Sequence, residues 1–438
     1  MFSITKSRVQ FRNWSESVHC EPEQFLAPKN LTELQHIVKK AYDEGRKIRV
    51  VGAGHSFTPL VATSDIMVSI HHLSGIDHID RNEHQVTVWG GSNLKELGAQ
   101  LWQQGYAMEN LGDINKQSIA GAISTGTHGT GIEFGSLSTQ AVGITLLQAN
   151  GEIMEINADE HSELLRAAQL SLGMLGIIVK VTLKVLPAYQ LVSRSYRLSL
   201  EDSLEQLETL RVNHRNMELY WFPFTNTVQI KTLDIANGQE DMEDDQQQNL
   251  FKKIVVENGL FWMMSEVSRI VPRSAKAIST LSALGVPVGT ETNNSHEIYA
   301  TPRLVKFQEM EYCVPMENLP TILRTIDNTI RREKYAVHFP LECRFVKRDN
   351  IWLSPSYERD SAYIAVHMYK GMEFSPYFQA LEDIFKQYDG RPHWGKMHTM
   401  KREELEVAYP KMADFVAVRN HLDERGVFLN EYMKGLFG

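Results

Sequence analysis

Residues 50–59, "VVGAGHSFTP", end a β-branched run in a tight glycine turn and set an imidazole, His55, at its tip. The backbone N–H groups of Gly52, Ala53 and Gly54 could close on a phosphate as an anion nest, and Ser56 adds a hydroxyl. A dinucleotide fingerprint would require a third glycine at position 57 and a helix starting there. Phe57 and Pro59 deny both, and no Gly-Lys-Ser/Thr follows to make a Walker loop. A second loop, "SIAGAISTGTHGTG" (118–131), frees the backbone for close approach at Gly121, Gly126, Gly129 and Gly131. Ser118, Ser124, Thr125 and Thr127 bring hydroxyls to it. Two glycine-rich loops with Ser/Thr in one half of a chain point to a large phosphorylated cofactor. His128 has no second ligand at metal spacing and reads as structural; no metal site is expected.

Two further groups could do chemistry on a bound molecule. In "PLECRFV", the period of a strand puts Glu342 and Arg344 on one face and Leu341, Cys343 and Phe345 on the other. On pattern alone this is a surface ion pair of little worth. His367, in "YIAVHMYKG", shares a face with Tyr363 and Tyr369 and reads as a satisfied sheet histidine. In "RPHWGKMH" (391–398), His393 and His398 lack the spacing of a zinc helix, while a Trp-Gly-Lys turn presents Lys396.

The elements that must position these residues follow from periodicity. "NLTELQHIVKKAYDEG" is a helix with Asn30 as N-cap, Glu33 completing a capping box and Gly45 as its stop. "KIRVVG" is the strand that delivers the chain to the His55 turn. "SNLKELGAQLWQQG" is a second helix ending at Gly105. "SLSTQAVGITLLQANGEIMEI" is a hairpin, with Asn150-Gly151 as a type I′ turn. "SELLRAAQLSLGMLGIIVKVTLKVLP" is a helix, a glycine turn and a strand ending at Pro187. Beyond it glycines thin out, and "LVKFQEMEYCVP", "YAVHFPLECRFV" and "SAYIAVHMYKG" are strands of a second, antiparallel unit. The acidic tract 237–249 is a solvated loop. "GLFWMMSEVSRIVP" (259–272) is a buried amphipathic helix rather than a membrane contact.

At 438 residues the chain is long enough for two domains, and 42% hydrophobic with 23% charged residues is an ordinary globular balance. A net charge of -9 argues against nucleic-acid binding. The cysteines, Cys20, Cys313 and Cys343, form no CxxC pair and read as reduced thiols of a cytoplasmic protein. The first residues show no secretory signal, and no stretch is long and apolar enough to span a bilayer.

Taken together, the motifs resemble the aldonolactone oxidase and alditol oxidase branch of the vanillyl-alcohol-oxidase type flavoproteins, over essentially the whole chain. "VVGAGHSFTP", "NLGDINKQSIAGAISTGTHGTG" and "GMLGIIVKVTLKV" stand in that family's order, followed by "EMEYCVP", "LECRF" and "HWGK". The resemblance implies an α+β, two-domain fold: an FAD-binding domain over 1–187, with 399–438 packing back on it, and a substrate (cap) domain over 188–398 built on a large antiparallel sheet flanked by helices. It implies FAD, bonded covalently through His55. Residues 52–56 and the second loop, Ser118, Gly121, Ala122 and 124–129, would hold the pyrophosphate. Gly176 and Ile177 would stand near the adenine. Glu342, Arg344 and Lys396 match the family's substrate residues, and His367 is a candidate to orient or deprotonate the hydroxyl. The implied substrate is a sugar lactone or polyol, with O2 as the expected acceptor; a dehydrogenase that passes electrons to another acceptor stays open. Some alditol-oxidising relatives carry a serine where this chain has Ala122, which favours the lactone.

Overall fold

The computed structural model describes residues 9–236, 259, 261–300 and 305–438; the acidic tract lies outside them. Helix Leu31–Glu44 forms where its capping pattern places it. Asn30 Oδ1 accepts from the Glu33 N–H at 2.9 Å, and Gly45 closes the helix at φ 69°. The return arm of the cap lands one residue upstream of the expected one, with the Lys29 N–H donating to Glu33 at 2.8 Å. Leu34, Val38 and Ala41 face inward against a small parallel sheet, in which Ile66–Val68 lies between Gln24–Leu26 and Ile48–Val50.

An antiparallel five-stranded sheet follows, in the order Ile153–Asn157, Ala141–Leu147, Ile177–Lys184, Gln85–Trp89, Ile76–Asp80. The hairpin within it does not turn through type I′. That turn needs positive φ at both central residues, and Asn150 does not adopt it; Gly151 alone does, at φ 89°. The Gly151 N–H donates to Gln148 O, and the Gln148 N–H to Glu152 O, so the loop is three residues with glycine in the left-handed bulge position.

The second sheet has eight strands. Its centre runs Asn216–Trp221, Leu341–Val346, Ser361–Tyr369, Phe307–Pro315, all antiparallel. Leu341, Cys343 and Phe345 turn to one core with the apolar stripes of helices Leu319–Glu333 and Ser375–Gln387. The fold is thus α+β, with a large antiparallel sheet flanked by helices. The chain then returns to its beginning. The Ile48 N–H donates to Val427 O at 2.8 Å, and the Asn430 amide donates to the carbonyls of Pro59, Leu60 and Ala62.

The expectation of a buried helix at 259–272 is corrected. Residues 261–270 are helical, but Ser265 and Ser268 are the fully buried positions, while Trp262, Met263, Val267 and Ile270 are exposed. Among the described residues no helix is long and apolar enough to cross a membrane.

Candidate active site

The glycine turn is held from two sides. Gly54 sits at φ 68°, where a side chain would be strained, and its carbonyl accepts from the Trp14 N–H at 2.8 Å. No helix follows. Phe57 is buried instead, and its N–H donates to Gly395 O at 2.7 Å. Thr58 Oγ1 donates to Trp394 O at 2.9 Å. The His55 turn and the Trp-Gly-Lys turn are therefore one hydrogen-bonded unit, although 336 residues separate Thr58 from Trp394. The Phe57 ring packs against Trp14 and Phe307 with Lys396 over it, which gives a phenylalanine a place where a dinucleotide loop carries glycine.

The second glycine loop packs against the first. A Cβ on Gly52 would stand 2.5 Å from Ser118 Oγ, so the two loops meet only because residue 52 is glycine. Between them lies a cleft enclosing about 1020 Å³ of empty space, its open mouth included. Gly52, Ala53, Gly54, His55 and Ser56 line it with Ser118, Gly121, Ser124 and Thr125, and Gly176 and Ile177 contribute as well. No carboxylate lines this cleft, whereas Arg49 does. Glycine backbone, hydroxyls and apolar side chains such as Val51, Leu60 and Ile70 suit a molecule with two fused-ring ends and a charged phosphate middle. The residues present fit FAD. Ala122, Gly126 and Gly129 line neither this cleft nor the chamber beyond it. Ala122 is fully buried, so the serine-for-alanine argument against a polyol finds no footing in the geometry.

The cleft opens into a second chamber of about 680 Å³, and His55, Ser56, Gln117 and Thr125 line both. Thr127, His128, Glu342, Arg344, His367 and Lys396 all line the second. The sheet aligns them by register: Arg344 lies opposite Glu218, and His367 opposite Glu309. Glu342 and Arg344 are buried rather than a surface pair. The guanidinium of Arg344 is 2.6 Å from Asp113 and 3.2 Å from Glu218, and it also pairs with Glu342. Burial opposes its charge, but the Asp113, Glu342 and Glu218 carboxylates hold its pKa well above the usual value. Lys231 pairs with Glu218 at 3.1 Å.

Lys396 is equally fixed. Its Nζ stands 2.5 Å from Glu309, whose other oxygen is 3.5 Å from His367 Nε2. Burial would raise the Glu309 pKa; Lys396 and His367 outweigh it and bring it down to about 2. His367 Nδ1 meets Pro340 O at 3.2 Å. Two strand positions on, Glu311 pairs with His128 Nε2 at 3.3 Å, and His128 Nδ1 meets Gly129 O at 2.9 Å. His128, Glu311 and His393 are close enough together to ligate a cation, but His393 Nδ1 accepts from the Gly395 N–H at 3.0 Å. Its proton then lies on Nε2, the opposite of the tautomer a metal at Nε2 requires.

His55 bridges the two spaces. Its ring stacks on Trp14 at 5.8 Å. Burial, then the Lys396 and Lys116 charges, lower its pKa to about 4, so the imidazole is neutral and nucleophilic at neutral pH. Sequence reasoning missed Asp113, Glu218, Glu309 and Glu311. The alternation of "EMEY" carried a signal: two acids on one face of an otherwise apolar strand must be paired when that strand is buried. Asp113, in an irregular loop, carried none.

Cleft, chamber and fold define an FAD-binding oxidoreductase. Known proteins agree. The chain matches the family described as D-arabinono-1,4-lactone oxidase over residues 181–436, and the FAD binding domain over residues 22–157. It is 36% identical over 426 residues to an L-gulono-1,4-lactone dehydrogenase of Mycobacterium tuberculosis, covering 97% of this chain and 98% of that protein. It is 32% identical to the L-gulonolactone oxidase of Mus musculus, with 98% of each covered. Cholesterol oxidase from Brevibacterium sterolicum has the same fold, with a TM-score of 0.80 at 16% identity over 99% of this chain and 97% of that one. The chain belongs to the aldonolactone oxidase family.

Proposed function

We propose that the protein oxidises a carbinol of an aldono-1,4-lactone, of the arabinono- or gulono-lactone type, and passes the electrons to O2 with H2O2 as product. One observation carries this reading: the chamber holding Glu342, Arg344 and Lys396 opens directly onto the cleft that fits FAD, through His55, Ser56, Gln117 and Thr125. FAD bound there would supply the oxidant, as hydride acceptor for the substrate carbon. The chain's own residues do the rest. Glu342 accepts hydrogen bonds from lactone hydroxyls. Arg344 and Lys396 stabilise the negative charge that develops as the hydroxyl proton leaves. His367 orients that hydroxyl or takes its proton. A ligand lacking a hydroxyl forgoes the hydrogen bonds that a lactone hydroxyl makes with these groups and binds less well. Residues 1–187 with 399–438 form the cofactor unit in this reading, and 188–398 the substrate unit.

A panel of aldonolactones and alditols, mixed with the protein without air, tests the substrate: lactones should bleach the flavin absorbance and straight-chain alditols should bleach it far more slowly. The reverse order would make it a polyol oxidase. The dehydrogenase name of the Mycobacterium relative favours a second reading, with a different electron acceptor. Stopped-flow mixing of the reduced protein with air decides it, since an oxidase reoxidises rapidly and a dehydrogenase does not.

A neutral His55 lining the cleft also supports the covalent link to FAD. Yellow colour should precipitate with the chain in acid, and His55→Ala should release it to the supernatant while still binding FAD. Colour left in solution by the parent protein would defeat the link alone.

A further inference from the structure

Of fourteen large hydrophobic side chains exposed among the described residues, eight fall between Trp262 and Val288. They stand on two consecutive helices, 261–270 and Ala275–Gly285, with Val271 between the helices and Val288 just after them. Both helices are inside out. Mostly small or polar residues face the protein: Ser265, Ser268, Ala275, Ser279 and Ala283 are buried, with Ile278 the one large apolar side chain buried among them. Two of the hydroxyls are bonded there, Ser265 Oγ to Phe261 O and to His338 Nε2, and Ser279 Oγ to Pro223 O at 2.6 Å. Trp262, Met263, Val267, Ile270, Leu281 and Leu284 face outward. Exposing this much apolar surface is unfavourable unless something covers it.

The charges around these side chains identify the cover. Arg269, Arg273 and Lys276 are exposed beside them, and no exposed carboxylate occurs from 261 to 288. The single acid of the segment, Glu266, is tied to Tyr369 and Arg269. This cationic, apolar face belongs to a chain whose net charge is -9. A two-fold pairing of copies through it would bring the same cations toward one another. We infer that these two helices dock the protein on an anionic lipid surface, their apolar side chains entering the headgroup boundary and Arg269, Arg273 and Lys276 meeting lipid phosphates. The helices are too short to span, so the protein lies on the bilayer. The inference is independent of the substrate and the electron acceptor.

The test is cosedimentation of the full flavoprotein with vesicles of phosphatidylcholine alone, and of phosphatidylcholine mixed with phosphatidylglycerol. The protein should pellet with the anionic vesicles and hardly with the neutral ones. Raised salt, or the triple variant Arg269→Gln, Arg273→Gln, Lys276→Gln, should weaken binding roughly a hundredfold. Ile270→Asp with Leu284→Asp should abolish it. All variants should keep the parent flavin spectrum and lactone bleaching, because none touches the cleft or the chamber. The triple variant changes only exposed side chains, so it remains informative if the aspartate variant misfolds. Failure to pellet with either vesicle would overturn the inference, as would equal pelleting of parent and triple variant. A parent dimer that Ile270→Asp dissociates, with no vesicle binding, would assign the face to a second copy instead.

Discussion

Replacing Arg344 by alanine should slow anaerobic bleaching of the flavin by lactone about a hundred- to a thousandfold, the loss typical of removing one donor from a preorganised charge-stabilising site. The same change should also destabilise the protein. Asp113, Glu218 and Glu342 converge on this one guanidinium, and truncating the cation of a buried ion group costs about 3–5 kcal/mol because the carboxylates stay behind. The two effects can be separated. Arg344→Met combined with Glu342→Gln removes the cation and one anion together, so it should recover much of the stability and none of the rate. Arg344→Lys keeps the charge but loses the planar fork that reaches Asp113 and Glu218 at once, and should fall between. Thermal melts and stopped-flow absorbance, on samples with matched flavin content, give both quantities. Near-normal bleaching in Arg344→Ala would reduce this residue to a strut between the glycine-loop side of the site and the sheet.

The residues of this site were legible wherever a local rule forces their placement. Period two alone put Glu342 and Arg344 on one face, and paired glycines with hydroxyls marked the cofactor cleft. What was illegible is non-local. Phe57 looked like a broken fingerprint because its partner, Gly395, lies in the other half of the chain. Glu342 and Arg344 looked like a surface pair because nothing local says that Glu218 stands across the strand and Asp113 above it. The helix at 261–270 misled for a different reason. Its dense apolar run suggested a core element, but Ser265 and Ser268 take the inward positions, with the Ser265 hydroxyl bonded to the Phe261 carbonyl and to His338, and hydrophobicity counts do not register that option. The Asn150-Gly151 turn failed on one dihedral: the dipeptide fits two loop types, and strand length chose the longer one.

Lys396→Met should slow bleaching about a hundredfold, and the reason lies as much in Glu309 as in the lysine. In the parent protein Glu309 is a buried carboxylate held at a pKa near 2 by Lys396 and His367. Its folded pKa is depressed, so its ion pairs contribute stability above the ordinary carboxyl pKa and lose it only as pH falls toward 2. Over the working range Glu309 therefore stays charged and keeps Lys396 aimed into the chamber. Without Lys396 the strongest opposing charge is gone and burial drives the Glu309 pKa upward. The bleaching rate of the variant should then acquire an acid limb absent from the parent, as protonation of Glu309 releases His367. Glu309→Gln makes the complementary case. It leaves the lysine cation in place but frees it from its anchor, so its rate loss should be smaller than that of Lys396→Met and should carry no such limb. If Glu309→Gln instead matches Lys396→Met in rate and both follow the parent pH profile, Glu309 only fills space and the lysine is positioned by the Trp-Gly-Lys turn alone.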